Sequence, residues 1–466
     1  MELRTLYQFS DYNQTVLNER YQEALKQFPY KIVILDDDPT GIQKVHGVHV
    51  YTNWEEESIL EGFQSDNQMF FILTNSRAFS REKTVQVHQD IMIKIEKISN
   101  QLNQPYIIVS RGDSTLRGHF PLESETINKT LSKPFDGEFI IPFFKEGGRF
   151  TIENIHYVKI KDKLIPVGDT EFAQDRTFGF KSSHLGDYIE EKSNGIYKKE
   201  NVTYISLEDL RSFNMDKITK QLLQVNNFNK IVVNAISDDD LKVLSIAIVN
   251  ALKQGKRFLF RTAASFTKVI GNISDQDLLS KEQMINSNSD GGGLIIVGSY
   301  VQKTTQQLQE LLKLDFVKPI EFNSDLTLNN EKLEGEITKK IKELDESISD
   351  GQTCVIFTKR KQLKLATGIE EKQLAISVKI SKGLTRIIRS LRCKPKYIIA
   401  KGGITSSQIG TDALNVRKAL VLGQALPGIP VWLTDENSKY PNMPYIIFPG
   451  NVGEVTDLKE LVELLS

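Results

Sequence analysis

Short apolar runs in this chain repeatedly end in polar, glycine-bearing loops, and helical stretches often follow them. In the first 150 residues KIVIL leads into DDDPTG, and QMFFIL into TNSRAFS and a helical pattern over Arg81–Ile98. PYIIVS leads into RGDSTLRG and a helix from about Pro121, and GEFIIP into FFKEGGRF. Strands alternating with helices imply a mainly parallel α/β sheet, and strands buried on both faces read as such continuous runs. Ligands in these folds bind beyond the C-terminal strand ends, so chemistry is expected in the loops that close the runs.

The pattern lapses and restarts. Residues 150–200 are more irregular and polar, and read as loop and connecting strands. KIVVNAI (230–236), a helix through Leu241–Leu252 and RFLFRTAASF resume the alternation. Residues 271–293 are polar and end in three glycines, which marks a linker. Beyond it LIIVGSY precedes a helix over Lys303–Lys313, and TCVIFT precedes Lys359. KYIIAKGGITSSQIG precedes a helix around Thr411–Leu420, and YIIFPGNVG a last helix over Val455–Leu465. A chain of 466 residues exceeds one ordinary core. The expectation is two α/β domains, 1–275 and 290–466, each a mainly parallel sheet flanked by helices, with the active site in the cleft between them.

A net charge of −1 favours neither nucleic acid nor an acidic membrane surface. No run approaches the roughly 18 apolar residues of a membrane span. Cys354 and Cys393 make no disulfide framework, and the first residues lack the apolar segment of a signal peptide. A cytoplasmic location is the default expectation, and nothing opposes a homodimer.

Three adjacent carboxylates, Asp36, Asp37 and Asp38, repel one another and are costly to bury unpaired. A solvated turn with an aspartate cap would need one. One could accept a proton from a substrate hydroxyl while another holds Mg²⁺ or a second hydroxyl. The same stretch spells D-x-D-x-T through Thr40, the nucleophile motif of haloacid-dehalogenase-type phosphatases. There Asp36 would attack phosphorus and Asp38 protonate the leaving group. That chemistry also needs a later acidic pair, and ISDDD (236–240) lies far away and opens a helix.

The loop SRGDSTLRGHF (110–120) gathers Arg111, Asp113, Ser114, Thr115, Arg117, Gly118 and His119. Arginines hold carboxylate or phosphate oxygens, and Asp, Ser and Thr bond hydroxyls, which suits a small anionic polyol. PFFKEGGRF adds Lys145, Gly147, Gly148 and Arg149, cations beside glycines that allow close backbone approach. His156, Asp169 and Glu171 follow without metal-ligand spacing. The second half is instead glycine-rich at strand ends: Gly298 and Ser299; Lys401, Gly402, Gly403, Thr405, Ser406 and Ser407; and Gly450, Asn451 and Gly453. Backbone N–H groups at such ends bind phosphate, although neither a P-loop nor a G-x-G-x-x-G motif is present. Hydroxyl-binding and basic groups in one half, and phosphate-binding backbone in the other, suit phosphoryl transfer between two substrates.

Over roughly residues 30–465 the chain resembles the four-carbon acid sugar kinases. Asp37, Asp38, Thr40 and Gly41 fit that family's D-D-x-T-G pattern, with Asp36 and Pro39 departing from the commoner form. DSTLRG (113–118), GGR (147–149) and IHYV (155–158) are similar to its substrate segments; GSY, KGGITSS and PGNVG resemble its nucleotide loops. The resemblance implies an ATP-dependent kinase acting on threonate, erythronate or a 3-oxo-tetronate, with Mg²⁺ accompanying ATP. Asp38 or Asp37 would then be the base. Arg117 and Arg149 would hold the substrate carboxylate beside Asp113, Ser114, Thr115 and Gly148. Ser299, Gly403 and Gly450 would touch ATP, flanked by Gly402, Asn451 and Gly453. A phosphatase, or a sensor that binds the acid without turnover, is the alternative.

Overall fold

The computed structural model describes all residues except 1, 3–5, 7, 27, 300–301, 361–369 and 451, together with the side chains of 328 and 370–378. Two units divide the chain, Met1–Asp275 and Gln276–Ser466.

In the N-terminal unit the strands are β1 (Lys31–Asp36), β2 (His49–Tyr51), β3 (Met69–Leu73), β4 (Tyr106–Arg111), β5 (Gly137–Ile141), β6 (Arg149–Ile152), β7 (Ile155–Ile160), β8 (Lys163–Pro166), β9 (Thr203–Ile205), β10 (Asn229–Val233) and β11 (Phe258–Thr262). Eight form a parallel sheet in the order β2-β3-β1-β4-β11-β5-β10-β9. Every residue of β1 and β3 is buried, as expected for strands covered on both faces. The helix Arg81–Leu102 begins at a Ser80 cap and turns Val87, Ile91, Ile95 and Ile98 onto Val33, Phe70, Ile108 and Leu259. The chain leaves β1 toward β3 on one side and leaves β4 toward β5 on the other. The loops after β1 and β4 therefore diverge at a topological switch point, with Asp36 in register with Arg111.

Residues 149–166, read from sequence as loop and connecting strands, form an ordered three-stranded antiparallel sheet, β6-β7-β8. Glu153 and Asn154, both in the left-handed region, make the two-residue turn that closes β6 on β7.

The C-terminal unit contains β12 (Leu294–Val297), β13 (Val317–Phe322), β14 (Thr353–Thr358), β15 (Ile398–Lys401), β16 (Lys418–Leu426), β17 (Ile429–Thr434) and β18 (Pro444–Phe448). The order is β13-β14-β12-β15-β18-β17-β16; the first five run parallel, and β17 and β16 are antiparallel additions. Leu308, Leu458, Leu461 and Leu465 from the flanking helices pack on Ile295, Val355, Ile399 and Ile446. Its switch point lies between β12 and β15.

Two expectations fail here. The helix expected around Thr411–Leu420 lies earlier: helical turns cover Gly403–Ala413, Asn415 adopts a left-handed conformation, and β16 begins at Lys418. Alternate residues of β16 are buried, a period of two that the apolar content alone disguised. Nor is 271–293 a plain linker. Ser280 and Gln283 form a capping box, Leu279 and Met284 enter the C-terminal core, and a Cβ at Gly293 would lie 2.1 Å from the Tyr397 ring. Those glycines serve close packing rather than freedom. β13 and the helix Asn330–Ser349 were not anticipated at all.

No helix among the described residues is long and apolar enough to cross a membrane. Inside the N-terminal unit Glu138 and Lys230 face each other across β5 and β10, 2.7 Å apart and fully buried, with the ammonium 3.5 Å from the Phe228 ring centroid. Glu138→Leu alone strands a buried cation and is expected to cost about 3–5 kcal/mol in urea denaturation. Glu138→Leu with Lys230→Met should recover most of it; an additive loss would mean the two charges do not depend on each other.

Candidate functional site

β1 delivers its last residue, Asp36, to the switch point, and the following turn presents Asp37 and Asp38. Arg111, at the end of β4, places Nη1 3.1 Å from Asp36 Oδ1 and 3.4 Å from Asp37 Oδ1. Arg77, in the loop after β3, donates to both oxygens of Asp37, at 2.6 and 3.1 Å, and its Nη1 lies 3.5 Å from Asp38 Oδ2. Asp38 Oδ1 accepts from the amide (2.9 Å) and hydroxyl (2.6 Å) of Thr40. Three carboxylates thus face two guanidiniums.

Burial pushes the Asp36 carboxyl up to about 7, with Arg111 opposing and Asp37 and Asp38 reinforcing the rise. Burial raises Asp37 as well, against the charges of Arg77 and Arg111. Burial also disfavours charge on Asp38, but Arg77 and the Thr40 hydrogen bonds outweigh it and hold that carboxyl below its ordinary range. Asp38 is the most open of the three, its side chain 16% exposed against 4% for Asp37 and 2% for Asp36. Gly41 is required by contact, because a Cβ there would lie 2.0 Å from Asp36 Oδ2.

The 112–118 loop packs beside this cluster. Asp113 Oδ2 accepts from Arg117 Nε at 2.7 Å and from the Thr115 hydroxyl. Burial opposes its charge, yet Arg117 and Arg77 hold the carboxyl well below the usual range. Thr115 is buried and spends its hydroxyl on Asp113, so it shapes the loop. Ser114 presents its carbonyl to His156 Nε2 at 2.8 Å, while Thr151 Oγ1 is 3.0 Å from His156 Nδ1. A carbonyl only accepts, so Nε2 carries the proton and Nδ1 accepts from the threonine. Burial lowers this imidazole to about 4, and with both ring nitrogens engaged it serves as a neutral brace between Ser114 and Thr151.

Arg149 begins β6 after a turn in which Gly148, at φ 72°, donates to the Lys145 carbonyl. Arg117 and Arg149 place their guanidiniums 5.1 and 5.7 Å from the Phe172 ring centroid. Arg117 is paired with Asp113, whereas Arg149 forms no ion pair among the described residues and its buried Nε lacks a partner. Burial lowers the Arg149 pKa, with Asp113 favouring its charge and Arg117 opposing it.

Arg77, Glu123, Arg261 and Phe172 were not foreseen. Arg261 on β11 donates to Glu123 Oε2 (2.7 Å) and Ser110 Oγ (3.3 Å). Its Nη2 lies 3.0 Å from where a Cβ of Gly118 would stand. The available signals were a charge inside the run FLFRT and an arginine in a strand-end loop.

In the C-terminal unit the loops after β12, β15 and β18 carry the glycines. A Cβ at Gly298 would lie 2.3 Å from Thr405 Oγ1, and one at Gly402, where φ is 116°, 3.1 Å from Ser299 Cβ. The first two loops therefore close on each other. A Cβ at Gly450 would meet only Ser299 Oγ among the described residues, at 3.8 Å. Thr304 Oγ1 donates to the Gly450 carbonyl at 3.2 Å, and Gln307 Nε2 to that of Glu454 at 2.8 Å. Gly403 opens the short helix after β15, and Gly453 adopts φ 83° in the third loop. Asn451 lies outside the described residues.

The Asp36 pKa is raised on folding, so protonated Asp36 contributes stability fully present below its ordinary value of 3.8 and lost as pH rises through about 7. Asp36→Asn, which cannot titrate, should flatten the decline in this window, read as the wild-type-minus-variant difference in urea midpoint. A difference constant with pH would show that Asp36 does not titrate there.

Comparison with known proteins agrees with this division of labour. The family model of a sugar-binding N-terminal domain matches residues 32–270, and that of a nucleotide-binding C-terminal domain matches residues 294–458. A solved structure described as a putative tRNA synthase from Salmonella typhimurium LT2 is 14% identical with a TM-score of 0.67, covering 93% of this chain and 98% of its own. A Haemophilus influenzae protein from a domain family of unknown function is also 14% identical, with a TM-score of 0.58 and coverage of 92% and 99%. At that identity both show the fold alone. No curated protein matches the sequence significantly. With its sugar-binding and nucleotide-binding domains in this order, the chain belongs to the four-carbon acid sugar kinase family.

Proposed function

We propose that the protein transfers the γ-phosphoryl group of ATP to a hydroxyl of a four-carbon sugar acid, of the threonate, erythronate or 3-oxo-tetronate type. The observation that carries this reading is one electrostatic cluster. Ionised Asp38 is linked through Arg77 to Asp113, and Asp113 in turn acts on Arg149, a cation with no ion-pair partner among the described residues. A small acid offers the two groups such a cluster lacks, a carboxylate for Arg149 and Arg117 and hydroxyls for Asp113 and Asp38.

Asp38 is assigned as base. It is charged and the most exposed, whereas Asp37 has both oxygens engaged by Arg77 and Arg111. Asp38 Oδ2 would take the hydroxyl proton as the substrate oxygen bonds to phosphorus and the bond to ADP breaks. The lowered pKa makes it a weak base, which suits a loose phosphoryl-transfer transition state dominated by positioning. The amides around Ser299, Gly403, Gly450 and Gly453 would receive the nucleotide phosphates beside Gly402, whose own amide is spent on the Phe448 carbonyl, with Mg²⁺ ligated by phosphate and water. The phosphatase alternative requires Asp36 to attack phosphorus, but that carboxyl is buried against Gly41 with a raised pKa.

Asp38→Asn should lower kcat by about 10²–10⁴-fold while keeping the melting-temperature rise given by Mg-ATP and the acid. Wild-type turnover by this variant would remove Asp38 from the reaction. Arg149→Met should raise KM for the acid by about 10- to 100-fold, one charge-assisted contact, and leave KM for ATP unchanged. An effect on ATP alone would place Arg149 elsewhere. A wild-type protein that is stabilised by both ligands but turns over neither would be a sensor.

A further inference from the structure

Lys401 ends β15, directly before Gly402, and is completely buried. Its ammonium nitrogen lies 4.0 Å from the Phe448 ring centroid and donates to the carbonyl of Pro449, the residue before Gly450. The amine thus reaches the backbone of the β18 loop, while the residue after it, Gly402, donates its amide to the Phe448 carbonyl at 2.8 Å. The charged groups that face it are Lys303, on the helix Gln302–Leu311, and Asp457, at the start of the helix Asp457–Leu465. Lys303 opposes a charge on Lys401. Asp457 favours one, but its carboxylate already accepts from the Glu454 amide. Burying an amine without a paired carboxylate is costly, and a methionine would fill the same space without that cost. Burial brings this amine down to about 6, with Lys303 adding to the fall and Asp457 resisting it.

We infer that Lys401 is a charge-switched phosphate clamp: uncharged while the loops after β15 and β18 are empty, it takes up one proton when a nucleotide polyphosphate docks on them. This rests on the nucleotide role proposed above for Gly402, Gly403 and Gly450. The physical basis is reciprocal. Several negative charges arriving beside a buried amine supply the counter-charge its site lacks, and the ammonium so formed strengthens their binding. The neutral resting state avoids an uncompensated buried cation in the nucleotide-free protein. Linkage fixes the sign: above the pKa of the free amine, nucleotide binding consumes a proton, so affinity falls as pH rises.

Calorimetric titration of the whole protein with Mg-ATP at pH 7.5, in buffers of different ionisation enthalpy, counts the protons taken up. Wild type is expected to take up close to one proton per nucleotide. Lys401→Met is expected to take up almost none, to bind at least about tenfold more weakly, and to melt no lower than wild type. Binding by wild type without proton uptake, or uptake that persists in Lys401→Met, overturns the inference and leaves the nucleotide site standing. Failure of wild type to bind Mg-ATP at all overturns the nucleotide site itself, and the clamp with it. The wild-type proton count needs no variant, so the test survives a Lys401→Met chain that does not fold.

Discussion

Three carboxylates against two guanidiniums, held together in the dry end of a parallel sheet, set the terms for the N-terminal unit. Burial works against the charge of Asp36, Asp37 and Asp38 alike beside Arg77 and Arg111. The carboxyls of Asp36, packed against Gly41, and of Asp37 are pushed up, while Arg77 and Thr40 hold Asp38 down. The parallel register that sets Asp36 beside Arg111 thereby sorts three chemically identical side chains into a strut, an anchor and an open carboxylate. The neighbouring loop is held to the same centre through Asp113 and Arg77, and from beneath by Arg261 at Gly118.

The C-terminal unit solves a different problem with the same architecture. At its switch point side chains give way to backbone: Gly298 is glycine because Thr405 leaves no room for a Cβ, and Gly402 because its φ is 116°. Anionic side chains would oppose a polyphosphate, and none of the loop residues named there is acidic. Among the cations nearby, Arg360 donates to the Ser299 carbonyl, and Lys401 is sheathed between Phe448 and Pro449.

Much of this was legible in the chain. Buried parallel strands advertise themselves as continuous apolar runs, and the strand-end rule directs attention to DDDPTG, DSTLRG and KGGITSS. What escaped was tertiary or depended on period. Arg77 and Arg261 look like any arginine until β3 and β11 bring them to Asp37 and Glu123. KALVLGQAL is apolar enough for a helix, and only its alternation marks it as β16. Residues 149–166 look irregular because three short strands mix polar with apolar residues and lack a continuous run, yet they carry Arg149 and His156. The glycines at 291–293 read as flexible because nothing local reveals Gln352 and Tyr397 packed against them.

The most direct measurement follows the γ-phosphate of labelled Mg-ATP in the presence of a panel of four-carbon sugar acids. The label should appear as a phosphate ester of one acid, with ADP formed in equal amount and no ATP consumed when the acid is left out. Release of phosphate from a four-carbon phosphoester with no nucleotide present, or ATP consumption indifferent to the acid, would contradict the proposed transfer of phosphate from ATP to a sugar acid.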